Sequence, residues 1–153
     1  MAISFTVTGQ SQPAGSKRAF PFHKRDGSLG VSVSDDNPKS KGWKELVAFY
    51  ARQAYDGPLL DGPLSVTFVF YRPRPKGHFN TKGALNKKGR DSSAPTTKPD
   101  VLKLARGVED AISGIIWRDD AIIVDEFLSK RYGEPARCEI TIEEIVDQGE
   151  LFS

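Results

Sequence analysis

Leu64-Ser65-Val66-Thr67-Phe68-Val69-Phe70-Tyr71, followed by Arg72-Pro73-Arg74-Pro75, is the stretch on which the fold turns. Val66, Phe68 and Phe70 alternate with Ser65, Thr67 and Val69, the period-two pattern of a strand with one buried face. Prolines lack the donor a ladder needs, so the strand stops at Arg72-Pro73. Downstream, Val101, Leu104, Val108, Ala111 and Ile112 fall on one stripe at helical spacing. With Asp100 before them and Gly114 after, they predict a helix over 100–113. Residues 122–131 and 137–146 read as two strands around the turn Tyr132-Gly133-Glu134-Pro135.

Upstream, residues 3–8 alternate as a first strand. Residues 18–23 and 29–34 flank Arg25-Asp26-Gly27-Ser28 and suggest a hairpin. Trp43, Leu46, Val47, Phe49, Tyr50 and Ala54 recur at near-helical spacing until Asp56-Gly57-Pro58 stops them. The sum is an α+β domain: a mixed β-sheet with two principal helices packed on it. No internal repeat is visible.

A chain of 153 residues can bury a core without disulfides or a structural metal, and one domain over 1–147 with a tail at 148–153 is expected. Cys138 has no partner for an intrachain bridge, and no Cys/His cluster has zinc spacing, which fits a reducing cytoplasm. Cys138 alternates with Ile140 and Ile142 and reads as core. No apolar run approaches the ~20 residues of a membrane span, and no export signal opens the chain, so a soluble cytoplasmic protein is expected. The formal charge is only +2, yet between Arg72 and Lys98 eight basic residues face Asp91 alone, a local net charge of +7. That is the electrostatic footprint of a polyanion-binding segment. Residues 76–97 within it show no periodicity and read as a long basic loop.

Asp100, Asp119 and Asp120, with Arg106 one to two turns into the helix, are the residues with chemistry in them. One or two carboxylates hold Mg²⁺ while water and phosphate oxygens complete its shell, and a nearby cation stabilises charge on a phosphodiester. The bland reading is an N-cap at Asp100 and a turn at Asp119-Asp120. For the carboxylates to meet, the chain must return along the helix. Thirteen helical residues rise ~20 Å, and seven extended residues from Gly114 to Asp120 return ~23 Å. Leu102, Arg106, Glu109 and Ser113 share a face off the apolar stripe.

Thr96-Thr97-Lys98-Pro99-Asp100-Val101, the helix after it, Trp117-Arg118-Asp119-Asp120-Ala121 and Tyr71-Arg72-Pro73-Arg74-Pro75-Lys76 together resemble the RusA family of Holliday junction resolvases, in the form common in bacteriophages and prophages. The resemblance implies a homodimeric, Mg²⁺-dependent endonuclease, with Mn²⁺ as an alternative ion, that nicks two strands symmetrically across a four-way DNA junction. The family pattern is Asp-x-Asp-Asn-Leu-x-Lys, then Asp-Asp. It implies catalytic roles for Asp100, Asp119, Asp120 and Arg106, with Asp100 and Asp120 as metal ligands, Leu104 as the packing leucine and Arg106 in the lysine's place. Leu102 stands where the family has its second aspartate, and a leucine cannot ligate Mg²⁺. Glu109 is ~10 Å of helix rise from Leu102, too far to replace that carboxylate in place. A branched-DNA-binding protein that cuts weakly or not at all is the alternative.

Arg72, Arg74, Lys76, Lys87, Lys88, Arg90, Lys98 and Lys103 are the expected DNA contacts, neutralising phosphates without reading bases. Lys17, Arg18, Lys24 and Arg25 extend that surface. Phe79 is expected to dock on its own domain, with stacking on an opened base step as the alternative. His23 and His78 are isolated and read as surface or phosphate-contact residues. The tail Gln148-Gly149-Glu150-Leu151-Phe152 resembles the Gln-x-x-Leu-Phe peptide by which bacterial repair proteins dock on the DNA sliding clamp, with Gln148, Leu151 and Phe152 as the contacts.

Overall fold

A computed structural model describes residues 1–15, 17–35 and 37–146. Gln148, Leu151 and Phe152 lie outside the described residues, as does the clamp contact expected of them. Four strands, β1 (Ala2–Thr8), β4 (Leu64–Arg72), β5 (Ile123–Tyr132) and β6 (Arg137–Glu144), form a mixed sheet in the order β1-β6-β4-β5. β6 is antiparallel to both β1 and β4, whereas β5 is parallel to β4. A parallel neighbour requires a crossover, and the helix α3 (Val101–Ile112) supplies it. The other helices are α1 (Ser40–Ala54) and a short α2 (Lys87–Asp91) inside the expected loop.

The alternation in β4 is realised in full: Leu64, Val66, Phe68 and Phe70 are buried, and the residues between them are half-buried on the other face. They meet Val7, Cys138, Ile140 and Ile142 from the neighbouring strands and Trp43, Val47, Leu104, Val108 and Ile112 from the two longer helices. Burying one such Phe contributes roughly 2–3 kcal/mol. Cys138 is core, as its alternation suggested, and burial pushes its thiol pKa up.

Among the described residues, β2 (Lys17–His23) and β3 (Leu29–Asp35) pair only with each other, as a separate two-stranded ribbon. α3 ends where Gly114, at φ +83°, takes the left-handed conformation that other residues adopt only under strain. Among the described residues, no helix is long and apolar enough to cross a membrane.

The segment 76–97, read from the sequence as a long basic loop without periodicity, is built around two asparagines. Asn80 Oδ1 accepts from the Lys82 and Ala84 N–H groups at 2.9 and 3.1 Å. Asn86 caps α2 by accepting from Gly89 N at 2.9 Å while its amide donates to Gly77 O at 2.7 Å. Gly89 lies against His78, where an added Cβ would come within 2.4 Å of the His78 carbonyl oxygen.

Candidate active site and nucleic-acid interface

Strand direction and helix length decide where the acidic residues sit. β4 carries the chain to Arg72, and α3 brings it back, so the start of α3 lies at the C-terminal end of β4 and its end lies near the start of that strand. At the first end, Lys130 of β5 donates from Nζ to Thr97 O at 2.9 Å and Pro99 O at 3.0 Å, fixing the approach to Asp100. Ala14 N donates to Lys103 O at 3.0 Å, which ties the segment after β1 to the first turn of α3. Asp100 occupies the N-cap position, yet its side chain makes no capping hydrogen bond and is exposed. The bland reading of Asp100 as a cap is therefore not what the side chain does. Lys98 and Lys103 are exposed beside it.

At the other end, Gly114 N donates to Trp117 O at 2.8 Å, closing a tight turn directly after the helix. Leu60 N donates to Ile116 O and Arg118 N to Leu60 O, at 2.8 and 3.0 Å, which keeps 116–118 beside the chain entering β4. The buried Trp117 indole Nε1 donates to Asp120 Oδ1 at 2.7 Å, and Asp119 accepts from Ala121 N at 2.9 Å. Arg118 pairs with Asp61, which raises the guanidinium pKa further.

The return run over 114–118 that would let Asp100 meet Asp120 does not occur. The physical reason is Trp117: as a fully buried side chain it anchors this segment in the core at the far end of the helix. The twelve residues of α3 put roughly 18 Å of helix rise between the end that carries Asp100 and the end from which the chain continues to Asp120. No group of three His, Cys, Asp or Glu among the described residues can hold a metal ion. Within one chain Asp100 and the pair Asp119-Asp120 stand at opposite ends of α3.

Leu102 and Arg106 are exposed on the face of α3 away from the core, Leu102 at 67%. Glu109 on that face is half-buried, and its Oε1 has no hydrogen-bond partner among the described residues. β5 is one edge of the sheet, and Val124 and Phe127 on it are exposed.

The expected DNA contacts divide into two kinds. Arg74 is half-buried: Nη1 donates to Gly89 O at 2.8 Å and Ser92 O at 3.0 Å, lies 3.2 Å from His78 Nδ1, and the guanidinium stacks 4.4 Å from the Tyr132 ring centre. Arg72 donates from Nη1 to Ser11 O at 2.6 Å, and burial lowers its pKa. Both arginines hold loops. His78, expected at the surface, is buried against Arg74 and Tyr132. Phe79 is half-buried beside Arg74 and Tyr132, consistent with docking on its own domain. Lys76, Lys87, Lys88, Arg90, Lys98 and Lys103 are exposed, with Lys87 paired to Asp91 at 2.7 Å and Arg90 donating to Leu85 O at 2.8 Å.

A cleft of about 410 Å³ is lined by Lys88, Ser92, Ser93, Thr96 and Thr97 over His78 and Tyr132. It shares Thr97 and Tyr132 with a smaller cleft that reaches Arg72, Lys98 and Lys130. That one shares Lys98 with a third, lined by Pro99, Asp100 and Lys103. The three adjoin through these shared residues as a trough that leads from α2 to Asp100, where Lys88, Arg72, Lys98, Lys130 and Lys103 stand with the hydroxyls against the carboxylates of Asp91 and Asp100. Lys130 was invisible to sequence reasoning, because its partners are backbone carbonyls thirty residues away; its place at the end of the inward face of β5 is its only signal.

A RusA endodeoxyribonuclease model matches residues 10–143 of the chain. The chain belongs to the RusA family. The RusA match runs from the segment before the hairpin through β6 and so includes both acidic ends of α3 and the whole trough. It bears out the resemblance read from residues 71–121 and places the chain among endodeoxyribonucleases of the Holliday-junction-resolving family. An uncharacterized Bacillus subtilis protein, YqaN, is 38% identical over 147 residues, 94% of this chain and 96% of its own length.

Proposed function

We propose that this RusA-family protein is a divalent-metal-dependent endonuclease of four-way DNA junctions, and that its active site forms between two copies of the chain. The observation that carries the reading is Asp100: an N-cap carboxylate that does no capping, exposed at the end of a basic trough and one helix length from its expected partner carboxylate. Two chains related by a two-fold axis beside the β5 edge would run antiparallel there. That arrangement would bring Asp100 of one subunit near Asp120 of the partner subunit, and the exposed Val124 and Phe127 on β5 offer apolar surface for the contact. Asp100 and Asp120 would hold Mg²⁺ or Mn²⁺, with Asp119 beside them. Such an ion supplies charge neutralisation and an activated water at the scissile phosphate. Arg106, exposed on the next turn, would balance charge developing on that phosphate, while Lys88, Lys98 and Lys103 hold the strand through its backbone.

Leu102 favours a second reading. It is exposed on the first turn of α3, beside Asp100, where the family pattern has a carboxylate, and it makes no packing contribution that would explain it. On that reading the protein binds junctions and cuts them poorly. Incubating a labelled synthetic junction and a matched duplex with the protein in Mg²⁺, Mn²⁺ or EDTA separates the two. Paired, metal-dependent nicks on the junction alone are expected of a resolvase. Tight binding without nicks, with cleavage gained by Leu102→Asp, would establish the second reading, and absence of junction binding would refute both.

A further inference from the structure

The hairpin β2–β3 is not used by the trough or by the acidic half-sites, and its surface is unlike that of an ordinary loop. Every residue from Pro21 to Leu29 is exposed, including Phe22 at 45%, and Leu29 and Val31 are exposed at 68% and 67%. Directly opposed residues of an antiparallel pair share a face and alternate along the strand. Pro21 opposes Val31 and His23 opposes Leu29, which puts these four on one face. Phe22 opposes Gly30 on the other, with its ring lying where a Gly30 Cβ would be, 2.6 Å from Cζ, and the Lys24 stem beside it. The ribbon therefore has apolar side chains on both faces and cations, Lys24 and Arg25, at its tip. The one anion of the tip, Asp26, is engaged locally: it accepts from the Ser28 N–H and hydroxyl at 2.9 and 2.6 Å, and those bonds hold its carboxyl below the ordinary range.

The base of the ribbon stands beside the candidate site. Ala14 is bonded to Lys103, an added Cβ at Gly107 would lie 3.1 Å from Gln12 O, and Asn37 at the other leg donates to Pro13 O at 2.9 Å. From that base, seven-residue strands reach outward by roughly 20 Å.

We propose that β2–β3 is a wedge that enters the opened centre of branched DNA. Phe22 covers an unstacked base on one side, and Leu29 and Val31 cover one on the other. Lys24 and Arg25 engage the flanking phosphates. A flat protein surface would cover one face and leave the other apolar face in water, whereas DNA arms diverging from a branch point flank both. The cationic tip selects a polyanion, a two-stranded ribbon is the width the DNA major groove admits, and apolar side chains are what wedge into an opened base step. This inference rests on the reading of the trough as a junction-binding surface.

The test places 2-aminopurine at the crossover of a synthetic four-way junction, or well out in one arm. Its fluorescence is read on adding the full chain in EDTA, with band shifts run in parallel. Wild type is expected to raise fluorescence at the crossover and not in the arm. Phe22→Ser and the double variant Leu29→Ser/Val31→Ser, both at exposed positions, should still shift the junction but lose most of the rise. A crossover signal unchanged by the variants, or absent while wild type binds, overturns the wedge and leaves the trough reading standing. Failure to bind the junction at all overturns the trough reading and the wedge with it. A change in the sedimentation mass of the free protein on Phe22→Ser would assign the hairpin to contact between copies, and also overturns the wedge.

Discussion

Mixing two dead variants distinguishes a shared site from one built within a single chain. Asp100→Asn removes an exposed carboxylate that caps nothing, and Asp120→Asn keeps an oxygen to accept from Trp117 Nε1; both chains should fold. α3 interposes roughly 18 Å of helix rise between the ends at which the two positions lie, whereas two carboxylates on one Mg²⁺, each at ~2.1 Å, sit within about 5 Å of each other. The shortfall exceeds ~10 Å, more than side-chain rearrangement can close. In a two-fold dimer, a heterodimer of the variants combines one site missing both aspartates with one intact site. A one-to-one mixture that exchanges subunits freely gives about half heterodimers and therefore about a quarter of the wild-type sites. The expected result is two parents with cleavage reduced at least ~100-fold, a mixture restored to about a quarter of the wild-type nicking rate, and nicks on one strand instead of pairs. Running the same assay in a Leu102→Asp chain raises the signal. A mixture as inactive as its parents, although both dimerise and bind the junction, would refute the shared site.

Leu102→Asp should change stability by less than ~1 kcal/mol, because the side chain is exposed and an acid at a helix N-terminus is favoured; thermal melting checks this while a nicking time course shows the gain in metal-dependent cleavage. Arg74→Ala should cost about 2 kcal/mol in urea unfolding, since it strands the Gly89 and Ser92 carbonyls, and should speed proteolysis within 76–97. Lys88→Ala and Lys98→Ala should each reduce the slope of log K against log salt by about 0.9 with no change in melting temperature. The folded state keeps the Cys138 thiol protonated, so its contribution to stability is full below the ordinary thiol pKa of about 8.5 and is lost as pH rises above it. The thiol should resist alkylation at pH 8 until the protein unfolds, and prompt labelling of the native protein would show it is not in the core.

Most of the fold was legible because its signals are local. The alternation of β4 and β6, the stripe of α3 and the glycine that ends it, and the turn at 25–28 each arise from a few neighbouring residues whose backbone preference and burial agree. The loop 76–97 was harder to read: its order comes from asparagine side chains and from Arg74 closing over backbone carbonyls fifteen and eighteen residues away. The fate of His78 follows from the same closure.

The sequence by itself determined the chemistry available: the α+β pattern, the acidic residues flanking one helix, the basic segment, and the leucine at an acidic position, all readable because they depend on residue identity and spacing. Tertiary structure alone decided how that chemistry is arranged. Spacing limits how far apart two residues can be but does not set the direction of the chain between them. The burial of Trp117 sends the chain after α3 into the sheet instead of back along the helix, and so leaves Asp100 and Asp120 at opposite ends of one molecule.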